Sequence, residues 1–161
     1  MNNCFRHAGE EVKNPYHYTE CGLEDVYLVN GYEIRHMDDE EGVAVKHVDA
    51  LHRAIGVALV TEKKVLSGKE LRFLRNEMDL TQAELGQLMG LTDQSVARWE
   101  KDQYEIPNAA DSLLRALYLG HINQTTDLRE LIESLKSMDS TLDERFLFKT
   151  TKDGWQQCAA A

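Results

Sequence analysis

Residues 80–101 read LTQAELGQLMGLTDQSVARWEK, and the fold turns on how this stretch divides. Thr81-Gln82-Ala83-Glu84 has the pattern of a capping box. In such a box the Thr81 hydroxyl oxygen accepts from the third helical N–H, and Glu84 reaches back to the Thr81 N–H. A helix through about Met89 is expected from it. Gly90 stands where a left-handed residue would end that helix. Thr92 can then cap a second helix running to about Lys101. Two short capped helices joined by a brief turn containing glycine form a helix-turn-helix pattern.

The second helix divides cleanly on a wheel of about 100° per residue. Val96 and Trp99 define one side, to be buried. Gln94, Ala97, Arg98 and Lys101 fall on the other. Taken alone, a polar outer face is ordinary solvated surface. Together with two caps, a glycine turn and an apolar inner face, it has the composition of a major-groove reader. Gln94 can bond adenine in bidentate fashion and Arg98 can do the same to guanine. Ala97 is small enough for close approach, and its methyl can touch thymine. Asp93 and Ser95 flank this face near the helix N-terminus, where base contacts are made. Thr81, Gln82, Thr92 and Lys101 are the candidates for phosphate contacts.

Working outward, Ser67-Gly68-Lys69-Glu70 is another capping box, and Leu71, Leu74 and Met78 form the inner face of the helix it opens. Pro107 suits the first turn of a fourth helix, with Ala110, Leu113, Leu114 and Leu117 at helical spacing. A fifth, from about Thr126 to Ser137, has Leu128, Leu131, Ile132 and Leu135 on one stripe. Upstream, a helix from about Asp49 to Thr61 carries Leu51, Ala54, Ile55, Ala58 and Leu59 on one stripe, a natural lid for a small sheet. That sheet is expected from Tyr16 and Tyr18, then Val26 to Val29, then Tyr32, Ile34 and His36, with Val43 and Val45 in a further strand. Asn30-Gly31 is the hairpin signal between two of these runs. Asp38 to Gly42 is an acidic turn. Residues 1–14 lack a period and suggest a mobile lead-in. Beyond Ser140 the tail, with Phe146, Phe148 and Trp155, is too apolar to be plainly disordered and has no evident place.

The expected fold class is therefore α+β: a small N-terminal antiparallel β-meander plus helix, then an all-α five-helix helix-turn-helix domain. The expected divisions are 1–64, 65–122 and 123–161, the last a possible dimerisation element.

Charge argues against easy DNA binding. The net charge is −10, with 18 basic and 28 acidic side chains. Residues 1–66 contribute −5, residues 67–121 −3 and residues 122–161 −2. DNA affinity is dominated by neutralising phosphates. Binding would have to lean on base contacts, backbone amides and dimerisation.

No run approaches the ~18 apolar residues of a membrane span, and the first residues lack the apolar core of a signal peptide. A cytoplasmic protein without membrane partners is expected. Three cysteines, Cys4, Cys21 and Cys158, are far apart and odd in number, so no disulfide framework is implied. There is no C-x-x-C pair for zinc. Tyr16-His17-Tyr18 and His52 are the nearest approach to a metal site, and histidines beside aromatics are more often packed than ligating. A phosphate loop, a nucleophile elbow and an H-E-x-x-H motif are all missing. The expectation is no enzyme, no metal and no cofactor.

Residues 80–101 resemble the XRE (Cro/cI-type) helix-turn-helix, above all in LTQ-x-x-L followed by S-V-x-R-W-E-K. With Ser67 to Arg75 upstream and Ile106-Pro107 downstream, the chain is similar to the branch that includes MqsA-type antitoxins. The resemblance implies a five-helix DNA-binding domain working as a homodimer on palindromes, with Gln94 and Arg98 as base readers. That branch carries two N-terminal C-x-x-C pairs for structural zinc. Here Tyr18 stands where the partner of Cys21 would fall, and the second pair is missing.

The leading expectation is a dimeric, sequence-specific regulator of transcription that binds double-stranded DNA, a repressor. An antitoxin that represses its own operon and neutralises a partner toxin is a variant of the same reading. The acidic total motivates a different one, a protein-interaction module on a helix-turn-helix scaffold. A small ligand of the meander is a third.

Overall fold

The structure is a computed structural model that describes residues 4–7, 10–124, 127–138 and 145–158. In chain order the elements are β1 (Cys4–His7), β2 (Glu10–Lys13), β3 (Tyr16–His17), β4 (Val26–Leu28), β5 (Tyr32–Met37) and β6 (Glu40–Val45). Then come α1 (Val48–Glu62), α2 (Gly68–Glu77), α3 (Gln82–Met89), α4 (Asp93–Glu100), α5 (Asn108–His121) and α6 (Leu128–Ser137). Two strands, β7 (Phe146–Thr151) and β8 (Gly154–Cys158), close the chain. The class is α+β, as the sequence implied. Contacts group Met1–Ile55 with Glu144–Ala161 in one compact unit and Gly56–Asp143 in another. The second unit is thus an insertion into the first, and the boundary falls inside α1.

In the first unit the main sheet runs β3-β4-β7-β8. β4 and β7 pair in parallel, Val26 opposite Phe146 and Leu28 opposite Phe148. All three residues of β4 and the first three of β7 are buried. A continuous apolar run of this kind marks a strand covered on both faces. The tail that sequence could not place is therefore a central strand of this sheet and its hairpin neighbour.

One local expectation fails. Asn30-Gly31 does not join paired strands, because β4 pairs with β3 and β7 while β5 pairs with β6. Gly31 does adopt the positive φ of +77° that the motif favours. The Asn30 side chain, however, accepts from the Thr150 N–H at 2.8 Å and so pins β7 instead of closing a hairpin. The tight hairpin lies one strand later, with Met37 opposite Glu40 and Asp38 at φ 53°. The acidic turn thus narrows to Asp38-Asp39. At the start of the chain, where a mobile lead-in was expected, β1 and β2 pair antiparallel with Phe5 opposite Val12. Only two residues separate these strands, so closing the loop costs little entropy and a weak pattern suffices.

In the second unit the inward positions of α2 are as expected, with Leu71, Leu74 and Met78 buried. On α5 the buried stripe is Ala110, Leu114, Arg115 and Tyr118, while Leu113 is exposed and Leu117 half-buried. The stripe rotates away from Leu113 because Arg115 is needed inside. Its guanidinium donates to the carbonyls of Val60 (3.0 Å) and Lys64 (3.2 Å) and pairs with Asp111. The last carbonyls of a helix lack intrahelical partners, and a cation there suits the helix dipole. Asp127 caps α6, whose Leu131 and Leu135 are buried while Leu128 is exposed. The expected start near Thr126 lies outside the described residues.

Candidate nucleic-acid interface

Local chemistry sets α3 and α4 as the sequence implied. Thr81 Oγ1 accepts from the Glu84 N–H at 3.1 Å, and Glu84 returns a bond to the Thr81 N–H at 2.7 Å. The Thr81 N–H holds the Glu84 carboxyl below its ordinary range. Gly90 ends α3 at φ 70°, in the left-handed region. Thr92 Oγ1 then accepts from the Ser95 N–H at 3.3 Å and starts α4. Between the helices the Gly86 α-carbon lies so close that a β-carbon would sit 2.9 Å from the Thr92 carbonyl oxygen.

Val96 and Trp99 are buried, as the wheel required. Gln94, Arg98 and Lys101 are exposed, and Asp93 is exposed beside them. Ser95 and Ala97 are half-buried at the edges of this face. Gln94 and Arg98 are four residues apart and so lie one above the other. The Asp93 carboxylate accepts from the Gln94 N–H at 2.9 Å, which fixes it at the helix start.

The sequence reading missed the residue that locks this arrangement. Glu100, with its side chain fully buried, accepts from Arg75 Nε at 2.5 Å, Arg72 Nε at 3.3 Å and Gln82 Nε2 at 2.8 Å. One carboxylate therefore ties α2, α3 and α4 together. Burial pushes its pKa up, but the bonds from Arg75 and Gln82 and the Arg75 charge outweigh this and hold it below the usual carboxylate range. Glu100 follows Val96 by four residues, so the wheel does place it inward. A carboxylate there is tolerable only with donors, and Arg72 and Arg75 on α2 supply them. Gln82, expected at a phosphate, donates an amide hydrogen to this carboxylate. Arg72 and Arg75 are drawn into the same cluster. Arg98 and Lys101, the two cationic groups expected at DNA, stand exposed.

Past the end of α4, Tyr104 is exposed, and the Arg98 guanidinium carbon stands 5.7 Å from the centre of its ring. No periodicity marks this residue in the sequence, since it lies in the loop after α4.

In the first unit, His17 stacks on Tyr27 at 4.6 Å and His52 Nε2 lies 2.9 Å from the Tyr18 hydroxyl. Among the described residues, no group of three or more His, Cys, Asp or Glu side chains is gathered as a metal site would require. No helix among them is long and apolar enough to cross a membrane.

A sequence model of the helix-turn-helix family matches residues 71–111, from α2 to the start of α5. No curated protein and no solved structure matches the chain. The match and the geometry agree on a helix-turn-helix, a motif whose second helix serves DNA-binding regulators in the major groove.

Proposed function

We propose that this chain is a sequence-specific transcription regulator that reads double-stranded DNA with α4, as a homodimeric repressor on a palindromic site. One observation carries the reading: α4 buries Val96, Trp99 and Glu100 against its own unit while Gln94 and Arg98 stand exposed on the opposite side. In this reading Arg98 meets guanine and Gln94 adenine, with Asp93, Ser95 and Ala97 at neighbouring bases. Thr81, Thr92, Gln82 and Lys101 face phosphates, Gln82 with what its bond to Glu100 leaves over. A DNA-binding domain over 65–122 is part of the proposal.

Selection of bound duplexes from a random pool at near-physiological salt tests it directly, returning the site and the half-site spacing together. Half-sites should lie about one helical turn apart or a multiple of it. Arg98→Ala should cost about 1–3 kcal/mol and relax preference at one base pair. Unchanged binding by both Gln94→Ala and Arg98→Ala would remove α4 as the reader. Truncation is a poor test of the dimer surface, because removing the chain after Asn123 also removes β7 and β8. Leu128→Glu, at an exposed position on α6, is the cleaner variant, read by light scattering.

A second reading is favoured by the net charge of −10. It is a protein-interaction module that keeps the scaffold without DNA binding; an antitoxin that represses its own operon belongs to the first reading. Salt separates the two, since DNA affinity falls steeply as salt rises. Selection that enriches no duplex at low salt would favour the second.

A further inference from the structure

Resting on the reading of α4 as the base reader, we infer that Tyr104 is a positioning residue for Arg98, setting how sharply this chain prefers guanine at one base pair. Arg98 and Tyr104 are both exposed, and the guanidinium carbon lies 5.7 Å from the ring centre, within the range of a cation–π contact. Tyr104 follows the helix, so its ring approaches Arg98 from the loop, not from the turn of α4 below.

The contact matters because of what a long arginine otherwise does. An exposed arginine side chain has many rotamers, and much of that freedom is lost when it pairs with a base. A guanidinium resting on an aromatic ring has already lost part of that freedom. Its N–H donors lie in its own plane, so the ring can hold it from one side while two donors point at guanine O6 and N7. Among the described residues no carboxylate pairs with Arg98 and competes for those donors. The contrast with Arg75, whose Nε and Nη2 are engaged by Glu100, is direct.

The test uses the full chain and the duplex that it selects from a random pool, with each base pair of the site substituted in turn. Arg98→Ala identifies the position that Arg98 reads. Tyr104→Ala should then lower the preference at that same position by about two- to five-fold, the size of an exposed cation–π contact. It should leave the preference elsewhere and the melting temperature unchanged. Tyr104→Phe and Tyr104→Trp should retain the preference, since each keeps a ring. In the double variant, Tyr104→Ala should add nothing at that position to Arg98→Ala.

Three results overturn the inference. Equal weakening on every duplex by Tyr104→Ala and Tyr104→Phe would make the hydroxyl a phosphate contact. Additive losses in the double variant would make the two residues independent, leaving α4 as the reader intact. Unaltered base preference in Arg98→Ala itself would remove the reading of α4 and this inference together.

Discussion

The α3–α4 pair and the β5–β6 ribbon are of similar length, and they hold their side chains in opposite ways. In the helix pair Leu85, Val96, Trp99 and Glu100 are buried, and the buried carboxylate collects donors from two other helices. In the ribbon no residue is buried, and its Arg35–Glu33 ion pair at 3.7 Å and its His36–Glu41 contact at 3.8 Å are exposed. Exposed pairs contribute about 0–1 kcal/mol, whereas stripping the partner from a buried charge costs about 3–5 kcal/mol. Ion pairing is thus structural in one region and nearly incidental in the other. A reader must offer its outer side chains on a fixed backbone, and the helix pair meets that condition. The ribbon is a two-stranded sheet, a form only marginally stable by itself.

Substitutions at four positions would sharpen this contrast or break it. Glu100→Ala should be the most damaging, at about 3–5 kcal/mol by urea unfolding, because it removes a fully buried carboxylate and leaves the half-buried Arg75 guanidinium without it. A loss near that of an exposed pair would show that the cluster is relaxed by water. The same residue sets an acid limit. Its pKa is lowered on folding, so its contribution is fully present above the ordinary carboxylate range and disappears as pH falls through the folded value. Glu100→Gln should therefore flatten the acid limb of a stability–pH curve.

Next comes Gly68→Ala, at about 1–3 kcal/mol from overpacking. A β-carbon there would overlap the Trp99 carbonyl oxygen and sit 2.6 Å from that of Glu100. Thr92→Ala should cost about 1 kcal/mol, the worth of an N-cap, seen as a lower urea midpoint. Arg35→Ala in the ribbon should stay within about 0.5 kcal/mol of the parent. If it cost as much as Thr92→Ala, the two regions would not differ in kind.

The same contrast explains what could be read from residues 1–161 alone. Caps, the Gly90 turn and the Val96/Trp99 face are each set within a few residues, so local pattern was enough for α2 to α4. Glu100 occupied a readable position, but its donors lie on α2 and α3, and no local rule links them. Tyr104 reaches Arg98 from a loop that has no period. The sheet was hardest, because Asn30 bonds Thr150 across 120 residues. The Asn-Gly signal there was real as a backbone preference, since Gly31 has positive φ. It misled about pairing because β4 finds β7 instead of its neighbour in sequence.

The parallel pairing of β4 with β7 also dictates an order of events during synthesis. Residues 56–143 emerge from the ribosome before β7 exists, so the inserted helices can be complete while β4 still waits for its second neighbour. Until residues 146–158 arrive, Val26, Tyr27 and Leu28 present an apolar edge with unpaired amides, a template for any other nascent chain. The β7–β8 hairpin is what retires that hazard.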